Sequence, residues 1–287
     1  MRRAVFTAVA LAMLVAADTA SGAFHHRGKE TSLISIPPRS GDLSTLIVVF
    51  PGYLMPAAEL GRAFASHLDA TTGLLLVQYA ERGVDPTAIR ASLALRLRNL
   101  RPERIVFYGA SMGGMCAHDV LRGMDGLTTP VDLVLDTAPA SSQDVRRPGW
   151  FFTLASSYRG GYLASGVWRL LANLPAARPT PELDADRDII NSARHHYATA
   201  GMPAVTSEAD YIGAFRLRAP SRHPDRVVYL HAHEPVHDPL IKVDQAIARW
   251  RTVYPALITE EIKGRQGGWH IPLVERPKET LKAITGI

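Results

Sequence analysis

The sequence predicts an α/β protein: a mostly parallel sheet with helices on both faces and a helical cap inserted into it. Three observations predict it. Continuous apolar runs of strand length recur, segments with apolar residues at helical spacing alternate with them, and the alternation breaks once, for some 90 residues between Leu135 and Arg226. The chain has 287 residues, 47% hydrophobic and 21% charged, an ordinary balance for a globular chain with a large core.

The first strand is Thr45-Leu-Ile-Val-Val-Phe50, a β-branched and apolar run that ends at Pro51-Gly52 and fits burial on both faces. A helix follows over 57–68, with Leu60, Phe64, Ala65 and Leu68 on one stripe, and the run 73–79 is the next strand. Asp85 before Pro86 reads as an N-cap with proline at the first helical position; that helix runs to about Leu100, with Ile89, Leu93, Leu95 and Leu97 as apolar anchors. Strands are expected at 104–108, 131–135 and 226–230, then a helix near 240–253, a strand near 257–262 and a last helix near 276–285. Alternation of this kind implies parallel pairing through right-handed crossovers.

The interruption at about 140–222 is too long for a structureless loop in a compact domain. It carries Trp150, Phe151, Phe152, Trp168, Leu170 and Leu171, with helix-like runs near 163–173 and 185–199. A small helical cap is expected there, its apolar residues 150–172 lining part of a substrate pocket.

At the start, Arg2 and Arg3 precede an almost unbroken apolar stretch from Ala4 to Ala17 and the small residues Ala20-Ser21-Gly22-Ala23. This reads as an export signal over residues 1–23, cleaved near Ala23, which places the domain 24–287 outside the cell or in its envelope. An uncleaved membrane anchor is the alternative, and the only membrane contact expected. Net charge is +5 and the pI about 9.5, but the basic residues stand singly or in pairs such as Arg146-Arg147, without the clustered face that nucleic acid requires. Cys116 is the sole cysteine, so no disulfide forms within the chain; it reads as a small buried side chain on a helix.

The chemistry-bearing motif is Gly109-Ala110-Ser111-Met112-Gly113, set between a buried strand and a helix. In such a turn the serine backbone adopts positive φ, which lifts the hydroxyl above the sheet edge, and Gly109 and Gly113 make room where strand and helix pass closely. The Met112 amide then opens the helix, where the dipole favours negative charge. A serine hydroxyl becomes a nucleophile only beside a base, and Gly268-Trp269-His270-Ile271-Pro272 places one in a loop after the last strand. An acid is expected after the penultimate strand, from Asp238 or Glu234, or else at the end of the strand before it, at Asp136. His231 and His233 alternate on the same segment and suggest metal, but their order departs from the usual ligand pattern; no metal and no cofactor is expected.

Together these motifs resemble the α/β-hydrolase superfamily, over nearly all of residues 24–287. The resemblance implies Ser111 as nucleophile, His270 as general base and Asp238 as the orienting acid, with Glu234 and Asp136 as alternatives. Phe50-Pro51-Gly52-Tyr53 resembles the family's strand-end loop, with proline where histidine is usual. By that likeness the backbone N–H groups of Tyr53 and Met112 form an oxyanion hole. The implied activity is hydrolysis of a carboxylic ester, as in esterases and lipases, on an apolar small-molecule or lipid-like substrate. Acyltransferase, thioesterase or peptidase chemistry with the same triad, or a non-catalytic binding protein on this scaffold, are the other readings.

Overall fold

The computed structural model describes residues 2–25, 30–80, 83–146, 202–232, 238, 240–262 and 270–286. Among these residues seven strands form one sheet: β1 (Ser32–Ile36), β2 (Thr45–Phe50), β3 (Thr72–Gln78), β4 (Arg104–Ala110), β5 (Val131–Asp136), β6 (Arg226–Ala232) and β7 (Ile258–Ile262). Their order is β1-β3-β2-β4-β5-β6-β7, with β1 antiparallel to β3 and every other pair parallel. Among the described residues the helices are α1 (Arg2–His25), α2 (Ala57–Ala65), α3 (Pro86–Leu100), α4 (Met112–Arg122), α5 (Met202–Ala214), α6 (Val243–Val253), α7 (Pro272–Glu275) and α8 (Pro277–Thr285).

Alternation along each strand divides the apolar residues between two cores. Leu46, Val48 and Phe50 of β2 join Ile89 and Leu93 of α3, Met115 of α4 and Trp250 of α6 on one face. Ile47 and Val49 join Leu60 and Phe64 of α2 and Ile284 of α8 on the other. The continuous apolar runs in the sequence are thus central strands covered on both sides, with helices supplying the outer layers.

Most expected elements lie within a few residues of their predicted places, and three differences have physical causes. Strand β1 is not legible in the sequence; it is a short antiparallel edge whose residues are half-buried or exposed, so it lacks an apolar run. The helix expected over 57–68 ends at Ala65, although Leu68 is still buried. Leu95, expected as an anchor of α3, is 61% exposed, whereas Ile89, Leu93 and Leu97, four residues apart, form the buried stripe. The cap helices near 163–173 and 185–199, and the pocket lining at 150–172, lie outside the described residues; α5 and the short 3₁₀ turn Ser142–Asp144 are described within the expected insertion.

The chain runs from β2 to β3 on one side and then crosses to β4 on the other, so the order reverses between β2 and β4. At such a switch point the connections leave in opposite directions and open a crevice at the carboxyl ends of the strands. Phe50 and Gly109 lie opposite each other at these ends.

Candidate active site

Ser111 sits between β4 and α4 with φ 49° and ψ −119°, the positive-φ turn expected from the motif. A non-glycine residue in this region is strained by about 1–3 kcal/mol and persists only where its surroundings fix it. The Ser111 amide donates to the Asp136 carbonyl at 2.8 Å, and the Gly114 amide donates to the Ser111 carbonyl at 2.9 Å. The glycines are required by space: a Cβ on Gly113 would lie 2.0 Å from the Phe50 carbonyl oxygen, and one on Gly109 would lie 2.4 Å from Gly114 Cα.

His270 reaches this turn from the loop before α7. The Ser111 hydroxyl and His270 Nε2 are 2.8 Å apart, and His270 Nδ1 lies 2.9 Å from Asp238 Oδ2. A carboxylate only accepts, so Nδ1 carries the proton and Nε2 accepts from the hydroxyl. His270 is buried, at 7% exposure. The orientation of Asp238 has a local cause: its other oxygen, Oδ1, accepts from the Leu240 and Ile241 amides at 2.8 and 2.6 Å. This Asx turn leaves Oδ2 aimed at the imidazole. The turn is itself tied down, because the Arg146 amide donates to the Leu240 carbonyl and the Lys242 amide to the Asp144 carbonyl, both at 2.7 Å.

The three residues expected as nucleophile, base and acid are therefore in hydrogen-bond contact, although 159 residues separate the first two and 32 the last two. Asp136 lies beneath them, fully buried; Tyr108 Oη donates to its Oδ2, and the Leu273 amide donates to the same oxygen at 3.4 Å. Burial raises its pKa to about 7 against the lowering effect of these donors and of nearby His270. Among the described residues the His270 ring nitrogens have Ser111 and Asp238 as partners, not Asp136. Glu234, His233, Gly268 and Trp269 lie outside the described residues, and His231 places Nδ1 3.0 Å from the Ala232 carbonyl.

Met112 is the first residue of α4, so its amide has no intrahelical acceptor and points out of the helix N-terminus. Tyr53 lies in the loop leaving β2, alongside Leu54 at φ 58°. Cys116 is buried on α4 in the core, and burial pushes its thiol well up. Among the described residues no group of three or more His, Cys, Asp or Glu side chains is arranged to hold a metal. A cleft of about 720 Å³ lined by Arg90, Arg98, Arg101 and Thr129 lies at the C-terminal ends of α3 and α4, away from the serine turn.

Sequence patterning does not single out one further buried carboxyl in this region. Glu208, on α5, accepts from the Leu54 amide at 2.6 Å and is 7% exposed. The available signal is its position four residues before buried Ile212, an acid on an apolar helical stripe.

No protein-family model matches the chain, and no curated protein matches it in sequence. Solved structures do. An esterase from Exiguobacterium antarcticum superposes with a TM-score of 0.61 at 13% identity, covering 89% of this chain and 94% of its own. A thermophilic esterase from Thermogutta terrifontis gives 0.61 at 16% identity, with 89% and 92% covered. The type II thioesterase of the borrelidin biosynthetic cluster gives 0.58 at 16% identity, with 88% and 94% covered. At such identities the likeness is one of fold: the chain has the α/β-hydrolase fold.

Proposed function

We propose that this protein is a serine hydrolase that cleaves carboxylic esters through an acyl-enzyme intermediate. The observation that carries the reading is the continuous hydrogen-bonded path from the Ser111 hydroxyl through His270 to Asp238, starting on a positive-φ turn. As Ser111 Oγ bonds to the ester carbonyl carbon, its proton passes to His270 Nε2. Asp238 holds the imidazole in the tautomer that can receive it and stabilises the imidazolium that results. The carbonyl oxygen becomes an oxyanion facing the Met112 and Tyr53 amides, with the N-terminus of α4 adding its dipole. His270 then protonates the departing alkoxide. Water repeats the sequence on the acyl-serine, giving its proton to His270 and releasing the acid with Ser111 restored.

The burial of His270 favours this chemistry, since hydrogen bonds and developing charges interact more strongly where water is excluded. The proposed substrate is a small apolar or lipid-like ester. The test is Ser111→Ala assayed on p-nitrophenyl esters of short and medium acyl chains. A fall in kcat of at least about a thousandfold, with the fold intact, is expected; unchanged turnover would overturn the assignment.

The likeness to a thioesterase favours one second reading, in which the same acyl-enzyme forms from a thioester. Matched oxygen-ester and thioester substrates of equal chain length separate the two. A kcat/KM at least tenfold higher for the thioester would favour the second reading.

A further inference from the structure

We infer that Glu208 is a positioning residue that holds the loop leaving β2, and with it the Tyr53 amide, in the geometry an oxyanion requires. This deepens the serine-hydrolase reading and rests on it.

The Gly52–Tyr53 peptide bond, which carries that amide, lies between two anchored points. On its N-terminal side, Tyr79 Oη donates to the Pro51 carbonyl at 3.0 Å. On its C-terminal side, the Leu54 amide donates to Glu208 Oε2 at 2.6 Å. Leu54 has φ 58°, a conformation a leucine adopts only when its surroundings impose it. Its side chain is buried at 3% exposure, and the Met55 amide closes the turn onto the Gly52 carbonyl at 3.0 Å. Glu208 reaches the loop from a distant part of the chain, across 154 residues. Without it the Leu54 amide would be buried and unpartnered, and the peptide plane could rotate to seek another acceptor.

A carboxyl in this place needs no charge to do this. Burial raises the Glu208 pKa to about 8, against the opposing effect of the Leu54 hydrogen bond. Near neutrality the neutral acid therefore predominates, and its carbonyl oxygen still accepts from this single amide, less strongly than a carboxylate oxygen would. Glutamine presents the same acceptor at the same reach. Methionine fills the same space with only a weak one.

The experiment compares wild type, Glu208→Gln and Glu208→Met by steady-state hydrolysis of p-nitrophenyl butyrate, inhibition by an alkylboronic acid, fluorophosphonate labelling and thermal melting. Glu208→Gln is expected to stay within about threefold of wild type. Glu208→Met is expected to lose about ten- to a hundredfold in kcat, with KM within about threefold, because the effect falls on an oxyanion donor. Its boronate affinity should weaken by a similar factor, since the tetrahedral adduct mimics the oxyanion state. A merely structural role would lower the melting temperature without this selective loss. Wild-type kcat and boronate affinity in Glu208→Met, or a tenfold loss in Glu208→Gln, would overturn the inference. If Glu208→Met does not fold, Glu208→Asp, one methylene shorter and out of reach of the Leu54 amide, is measured by the same criteria. Failure of the underlying reading is distinct: wild type would then neither label with fluorophosphonate nor lose turnover on Ser111→Ala.

Discussion

Asp136 and Asp238 divide two tasks by their surroundings. Asp238 has two backbone amides on one oxygen and the imidazole on the other, which fixes its orientation. Asp136 is fully buried and its pKa is raised to about 7, so at neutral pH it holds a proton much of the time. The unfolded chain releases that proton near pH 4. Between about pH 4 and 7 the folded state therefore binds more protons than the unfolded one, and the contribution of Asp136 to stability falls as pH rises through that window. Asp136→Asn keeps the shape without the titration. Its melting temperature is expected to fall less than that of wild type between pH 5 and 7.5, while kcat stays within a few-fold because the imidazole keeps Asp238. Melting curves across that range check this; parallel pH dependences would refute it.

At the scale of the element, α3 shows local sequence setting a boundary. The Asp85 side chain accepts from the Thr87 and Ala88 amides at 2.8 and 3.1 Å, and Pro86 occupies the first helical position where no amide is needed. Asp85→Ala should cost about 1 kcal/mol, seen as a fall of about 2–4 °C in melting temperature, with hydrolysis unchanged because α3 bears no side chain of the site. A melt that does not move would show that the cap contributes nothing. Elements of this kind were legible in the sequence because their cause is local: a cap, a doubly buried apolar run, a glycine pair around Ser111. The serine turn and the histidine loop were readable for the same reason. Strand β1 was not, because an exposed antiparallel edge needs no continuous apolar run. The misplaced anchor Leu95 shows a related limit, since several leucines in one helix define the stripe only once the sheet selects a face. The acid could be narrowed to Asp238, Glu234 and Asp136 from chain order together with the likeness to the family's acidic loop. Which oxygen reaches His270 depends on an Asx turn and on the tie to 144–146, and the Glu208–Leu54 hydrogen bond depends on tertiary pairing that no local pattern encodes.

For the molecule as a whole, the N-terminal helix differs from the others in the row of large apolar side chains that it exposes. Among the described residues neither core includes one from α1, although Asp18 is buried, and Phe6, Leu11, Met13 and Leu14 are 77%, 63%, 66% and 56% exposed. A row of large apolar side chains facing water is suited to another apolar surface. Among the described residues no helix is long and apolar enough to cross a membrane. We propose that residues 1–23 are an export signal removed after Ala23, so that the protein works outside the cytoplasm. Two results are expected. The chain beginning at Phe24 should fold with the melting temperature and kcat of the longer chain, because the described members of both cores lie beyond residue 23. A C-terminally tagged full-length chain in a secreting bacterium should appear outside the cytoplasm with Phe24 at its N-terminus, and Leu11→Arg together with Leu14→Arg should abolish this by breaking the apolar stretch. Intact mass and N-terminal sequencing read both. A full-length species held in the membrane fraction would replace the cleaved signal with an anchor, and loss of folding on removing residues 1–23 would make α1 a structural part of the domain.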